Sequence, residues 1–222
     1  MKTFPVMLDV RGRQAVVVGG GPVGRRKVRA LLRAGAKVRL VSAGAAPKGL
    51  PEGVAVVRQR YRSALLKGAR LVFACTDDRA VNARIASDAR AAGALVNAAD
   101  QPEDCDFHLP ATLSRGDVVI AIGTGGAAPA LAASLKRRLA AALPPGTGRF
   151  AALLAVLRRE LKAAVPDARR RMGILRRLAG SDVLEEFLGG GEPAVRARLL
   201  ELTRPARAKR PGRRRPGPRP NG

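Results

Sequence analysis

The stretch that most constrains this chain is Ala15-Val16-Val17-Val18-Gly19-Gly20-Gly21-Pro22-Val23-Gly24, which runs on into Arg25-Arg26-Lys27-Val28-Arg29-Ala30-Leu31-Leu32. A Val-rich run, short enough for a buried parallel strand, breaks into glycines spaced Gly-x-Gly-x-x-Gly at 19, 21 and 24, after which apolar residues resume at helical spacing. The pattern predicts a strand, a tight turn and a helix. Gly19 suits the turn, Gly21 lets the backbone approach a pyrophosphate, and Gly24 lets the helix pack on the strand. The helix N-terminus adds unpaired N–H groups and a partial positive charge. A glycine turn in some other α/β unit would carry the same residues, but the strand pattern before it and the helix pattern after it favour a dinucleotide site.

The alternation continues. Val28, Leu31 and Leu32 give the first helix an inward stripe, and Gly35 ends it. Lys37 to Val41, Val54 to Val57, Leu71 to Cys75 and Ala94 to Asn97 read as further strands, with a helix running to Ala92 between the last two and Val118 to Ile122 as a sixth strand. This predicts an α/β fold with a Rossmann-like parallel sheet. In such a sheet an acid about 20 residues past the glycines binds the ribose 2′-hydroxyl. Here Ser42-Ala43-Gly44 stand at that place. Ser42 can donate to a ribose hydroxyl and Arg39 or Arg58 can meet a 2′-phosphate, so this loop leaves NAD and NADP open. Thr76-Asp77-Asp78 follows the fourth strand, where ligands bind in open sheets, and Asp77 or Asp78 also suits the cap of the next helix.

The densest chemistry begins after the fifth strand. Asp100, Glu103, Asp104, Asp106, Cys105 and the single histidine, His108, fall within nine residues, and Pro102 and Pro110 mark the segment as a loop. Asp100 is placed to act as a general base if burial tunes it; a turn-forming Asp before Gln-Pro is the alternative. Cys105-x-x-His108 has a spacing found in metal sites, but two ligands do not make a zinc site, and no metal is assigned. Gly123-Thr124-Gly125-Gly126 forms a second glycine turn before a helix with Leu131, Leu135 and Leu139 on one stripe. From Phe150 onward the periodicity is only helical, with Gly189-Gly190-Gly191 and Glu192-Pro193 between the last two segments.

Composition sets the remaining limits. A net charge of +25 points to an anionic partner, although single arginines along helices serve equally as solvated faces. From Arg204 to Gly222 there are eight Lys/Arg, no acids and repeated Pro and Gly, the composition of a disordered basic tail. Lys2 and Asp9 argue against a secretory signal, and no run of 18 apolar residues predicts a membrane span. Two cysteines suit a reducing compartment. The expectation is a soluble cytoplasmic protein.

Four blocks together resemble the precorrin-2 dehydrogenase/sirohydrochlorin ferrochelatase family, the module that also forms the N-terminal part of siroheme synthase. They are Val18-Gly-Gly-Gly-Pro-Val-Gly-Arg-Arg-Lys-Val28; Ala74-Cys-Thr-Asp-Asp78 with Val81-Asn82; Asn97-Ala-Ala-Asp100 with Pro102-Glu103 and Cys105-Asp-Phe107; and Ile120-Ala-Ile-Gly-Thr-Gly-Gly126 with Pro129-Ala-Leu131. The resemblance implies NAD-dependent oxidation of precorrin-2 to sirohydrochlorin, with ferrous iron inserted to give siroheme in members that do both steps. It implies Asp100 as the catalytic residue and dinucleotide contacts at Pro22, Val23, Ala43 and Gly44. With Gly19, Gly21, Gly24, Ser42, Thr76, Asp77 and Asn97 these complete the candidate cofactor set. Thr124, Gly125, Gly126 and His108 are the candidate substrate contacts, His108 for a proton or for Fe(II). Gly123 and Ala127-Ala128 replace hydroxyl residues common in that loop.

The resemblance further implies a short form without the methyltransferase domain, and a homodimer formed through the segment after the sixth strand. The expected division is 1–112 NAD-binding domain, 113–146 dimerisation segment, 147–203 helical domain and 204–222 tail. An NAD-sensing regulator whose basic tail holds nucleic acid or another polyanion is the competing class.

Overall fold

In the computed structural model, which describes residues 3–44, 47–99 and 101–204, the Val-rich run forms β1 (Gln14–Val18), buried at four of its five positions. A strand buried on both faces needs cover on each, and the alternation of its side chains supplies it. Val16 and Val18 join Val72, Ala74, Ile85 and Val96 on one side, while Val17 joins Val28, Leu31, Leu40 and Phe73 on the other. Helix α1 (Pro22–Arg33) covers the second side through Val28 and Leu31. Helix α2 (Arg79–Ala91) covers the first side through Ile85, Ala86 and Ala89.

The remaining strands are β2 (Lys37–Val41), β3 (Val54–Val57), β4 (Ala69–Ala74) and β5 (Leu95–Ala98). All pair in parallel in the order β3-β2-β1-β4-β5. Val18 lies opposite both Val41 and Ala74, so the strands end level at their C-terminal edge. The chain steps from β1 outward through β2 and β3, then returns to the other side of β1 as β4. The strand order therefore reverses at β1, where a crevice opens outside the strand ends. The expected Rossmann-like sheet is what the structure contains.

Val118 to Ile122 forms the expected strand, β7 (Val118–Ile122), seventh in order because an unexpected strand, β6 (Ala111–Arg115), precedes it; the two pair in a separate two-stranded sheet. Only Gly116 and Asp117 connect them, and a connection that short joins antiparallel strands only. Gly116, at φ 57°, makes the turn.

Helix α3 (Pro129–Ala142) follows. Of its leucine stripe, Leu131 and Leu139 are 54% and 37% exposed and Leu135 is half-buried, while Ala132 is its buried residue. Helices α4 (Thr147–Ala164), α5 (Ala168–Leu178) and α6 (Ser181–Thr203) share a core of Phe150, Leu153, Leu157, Leu161, Ile174, Leu178, Val183 and Val195. Gly191, at φ 66° and ψ −158°, breaks α6 where the sequence carries its glycine run.

The chain divides into two compact units, Met1–Ala111 with Ala121–Leu135, and Thr112–Ile120 with Lys136–Gly222. Among the described residues no single helix is long and apolar enough to cross a membrane. The basic tail from residue 205 onward lies outside the described residues.

Candidate functional site

Outside the C-terminal ends of β1, β2 and β4 lies a cleft of about 800 Å³. Val18, Gly19, Gly20 and Gly21 form its floor, Ser42, Ala43 and Gly44 one wall, and Cys75, Thr76, Asp77 and Asp78 the other. The three motif glycines have different tasks. A Cβ on Gly24 would strike the carbonyl oxygen of Gly19, and one on Gly19, whose φ is 113°, would strike the carbonyl oxygen of Cys75. Both are demanded by the strand–turn–helix packing itself. Gly21 is exposed, and a Cβ there would meet nothing within 4 Å, so what its missing side chain keeps clear is the cleft.

Gly21 is also the N-cap of α1. It brings no side-chain cap, and Pro22 has no N–H to offer. The first-turn N–H groups of Val23 and Gly24 therefore carry the positive end of the helix toward the cleft without a side-chain acceptor. Arg25, one residue further on, lines the cleft as well. Val23 itself is half-buried against the α1-side core, and Gly24 is buried. A diphosphate fits this cradle: backbone donors, a cation and an open approach.

The β4 wall is fixed from within. Asn82, only 2% exposed, accepts from the Thr76 hydroxyl at 2.7 Å and the Thr76 amide at 3.1 Å, and donates to the Thr76 carbonyl at 2.9 Å. Of the two adjoining acids, Asp78 is the helix cap, its Oδ1 accepting from the amides of Ala80 at 2.8 Å and Val81 at 3.1 Å. Asp77 stays exposed on the cleft wall.

On the β2 side, Gln59, Arg60 and Tyr61 complete the wall. The Tyr61 hydroxyl donates to Asp88 at 2.8 Å. Partial burial, and then that bond to a carboxylate, hold the phenol above its ordinary pKa. The two arginines expected for a 2′-phosphate are not in the cleft lining: Arg39 donates to the Leu65 carbonyl at 2.7 Å, and Arg58 lies outside it, whereas Arg60 and Arg84 line it.

The loop after β5 is anchored at both ends. The Ala99 amide donates to the Ala74 carbonyl and the Asp106 amide to the Val96 carbonyl, each at 2.8 Å. Asp106 accepts from the Val96 amide at 3.0 Å and from Arg90 at 2.8 Å. Asn97, a candidate cofactor contact, is buried and donates to the Phe107 carbonyl at 3.0 Å. The Cys105 sulfur accepts from the Ala98 amide at 3.2 Å and lies 3.3 Å from the carbonyls of Ala98 and Gln101. Burial pushes that thiol above its ordinary pKa. Gln101 is 4% exposed, with its amide nitrogen 2.9 Å from Asp104 and its Oε1 buried without a partner among the described residues. These side chains hold the loop on either side of position 100. Asp100 itself lies outside the described residues.

His108 is half-buried further along the same loop. Thr124, Gly125 and Gly126 form their own turn, with the Ala127 amide donating to the Thr124 carbonyl at 3.1 Å and φ of 63° and 83° at the two glycines. None of these, nor Asn97, is among the residues lining the cleft. Among the described residues no group of three or more His, Cys, Asp or Glu is arranged to hold a metal ion.

Sequence reasoning missed Lys27. Its ammonium lies 5.6 Å from the centre of the Phe73 ring, which packs edge-on to Phe107 of the loop. Burial lowers its pKa, partly opposed by Cys75. The signal was available: Lys27 stands four residues after Val23 and four before Leu31, on the inward face of α1.

Residues 6–111 match the family described as "Putative NAD(P)-binding". The siroheme synthase of Chromobacterium violaceum is 36% identical over 220 residues, covering 96% of this chain and 46% of that protein. The siroheme synthase of Gluconacetobacter diazotrophicus is 43% identical over 204 residues, covering 87% of this chain and 41% of that one. The chain thus spans less than half the length of these relatives. Among solved structures, one titled "SirC, precorrin-2 dehydrogenase" superposes with a TM-score of 0.71 at 24% identity, covering 90% of this chain and 98% of that one, which shows a shared fold. The resemblance carried by the four sequence blocks is borne out: this chain is a homologue of the siroheme synthases over the part that it matches.

Proposed function

We propose that this chain oxidises precorrin-2 to sirohydrochlorin with NAD, a step of siroheme biosynthesis, in the cytoplasm. The observation that carries the reading is the glycine-floored cleft at the strand-order reversal, with the anchored loop of residues 97–110 beginning at the adjoining strand end. The siroheme synthase relatives support the choice of substrate.

In this reading the first-turn amides of α1 and Arg25 hold the pyrophosphate, and Gly19 and Gly21 shape the floor on which it lies. Pro22 starts the helix without a competing N–H, Gly24 seats it on β1, and Val23 anchors it. Ser42, Ala43 and Gly44 flank the adenosine ribose; Thr76 and Asp77 line the opposite wall. NAD supplies the hydride acceptor. The chain supplies orientation and a base. Asp100 takes the proton that leaves as the hydride departs, and Asn97 keeps the loop that carries Asp100 tied to Phe107. Thr124, Gly125, Gly126 and His108 form the substrate side, where arginine charge attracts a tetrapyrrole polycarboxylate. The exposed Leu131 and Leu139 supply the face of a homodimer, and ferrous iron is a further substrate.

The test is anaerobic incubation of the protein with precorrin-2 and NAD, followed by absorbance, with Fe(II) added afterwards. NAD-dependent appearance of sirohydrochlorin, lost in Asp100→Ala, is expected. Siroheme formation above the protein-free rate adds the chelatase. No conversion with NAD or NADP, in a protein that still binds dinucleotide, overturns the enzyme reading in favour of a nucleotide sensor.

A further inference from the structure

Helix α1 turns one cation inward. Lys27 is half-buried, and its ammonium lies 5.6 Å from the centre of the Phe73 ring. That ring packs edge-on to Phe107, with 5.6 Å between the centres. Phe73 stands opposite Asn97 in the sheet, and Asn97 donates to the Phe107 carbonyl at 3.0 Å. The ammonium is therefore held against the corner where the ends of β4 and β5 meet the loop of residues 97–110.

At this corner the charge finds no anion. Among the described residues Lys27 forms no hydrogen bond or ion pair, and the groups there that act on its charge are Cys75, Cys105 and Arg26, none of them a carboxylate. Burial keeps the Cys105 thiol protonated at neutral pH, and Arg26 carries a like charge. A side chain needed only to fill the space between α1 and Phe73 would do so better as methionine, because an ammonium drawn out of water without a partner destabilises the fold. The aromatic face offsets part of that cost. Because Lys27 is only half-buried, an anion can still reach it from solvent. The dinucleotide pyrophosphate is not that anion, since Lys27 is not among the residues lining the glycine-floored cleft.

We propose that Lys27 anchors a carboxylate of the tetrapyrrole substrate, its ammonium positioned by the Phe73–Phe107 corner beside the 97–110 loop. The inference rests on the dehydrogenase reading and adds to it a residue that grips the substrate. A cation shielded from water on one side attracts a carboxylate more strongly than a fully solvated one does.

The experiment titrates the full chain with sirohydrochlorin, followed by absorbance at two salt concentrations, and measures steady-state oxidation of precorrin-2 with NAD in parallel. Lys27→Met is expected to weaken sirohydrochlorin binding about tenfold, the loss of one charge-assisted contact, and to flatten its salt dependence, while the NAD dissociation constant stays at the parent value. In turnover the loss falls on KM for precorrin-2 rather than on kcat. Lys27→Gln, neutral but polar, is expected to match it, which ties the loss to charge and not to packing. Sirohydrochlorin affinity within about twofold of the parent in either variant overturns the inference, and continued turnover leaves the dehydrogenase reading standing. An equal weakening of NAD, the mark of a displaced α1, overturns it as well. An unaltered chain that neither binds sirohydrochlorin nor oxidises precorrin-2 overturns both.

Discussion

At the scale of single residues, the cleft separates side chains that shape the fold from those left facing the ligand. Asp78 lines the cleft, yet its carboxylate is committed to the first turn of α2. Asp78→Ala is expected to cost about 1 kcal/mol by urea unfolding, whereas Asp78→Asn, an equally good cap, stays near the parent value. Cys105 is expected to be slow to react: burial raises its pKa, so its thiolate forms only at a pH above that of a free cysteine. Mass spectrometry of alkylation against pH should show its curve displaced to higher pH in the native chain relative to the unfolded one. For Lys27 the sign is opposite. Its folded pKa is lowered by burial, so in the alkaline window below the ordinary lysine value the unfolded chain binds more protons and stability rises with pH. Lys27→Met is expected to raise the melting temperature at neutral pH and to flatten its alkaline slope.

At the scale of elements, glycines decide which segments can meet. A Cβ on Gly24 meets the Gly19 carbonyl and one on Gly148 meets the Arg115 carbonyl, so each glycine sits against backbone that cannot yield as a side chain does. Gly24→Ala is expected to cost about 1–3 kcal/mol in chemical denaturation, as overpacking does. Gly191 differs, because a Cβ there would meet only Pro193 Cδ, at an ordinary contact distance of 3.7 Å, and the backbone itself is at fault. Gly191→Ala is expected to cost about 1–3 kcal/mol, the penalty of a glycine-only conformation. These elements also divide what is legible in the sequence from what is not. The five parallel strands could be read because each is a short apolar run ended by a glycine or a polar turn. Strand β6 was not, because Ala111-Thr-Leu-Ser-Arg buries only Leu113. The leucines of α3 have helical spacing, yet Leu131 and Leu139 remain exposed and Leu135 is only half-buried, and spacing alone does not reveal burial. Arg60 could not be placed from sequence, since its position depends on β3 lying beside β2.

At the scale of the whole molecule, charge outweighs pairing. Ion pairs such as Arg11 with Asp9 and Arg196 with Glu160 are solvent-exposed and contribute little to stability, while a net charge of +25 repels itself. Added salt is expected to raise the melting temperature as screening shortens from about 10 Å at 0.1 M to about 3 Å at 1 M. The same salt is expected to slow association of a polycarboxylate substrate in stopped-flow mixing, and this opposite response separates steering from stability. The aromatic inventory has its own consequence. The chain has no tryptophan and one tyrosine, and that tyrosine is Tyr61, in the wall of the cleft and bonded to Asp88. Its tyrosine emission therefore originates from a single address in the wall of the crevice. The protein carries a built-in optical reporter there, and a quantum yield that changes with the Asp88 contact reads the state of that wall without any label.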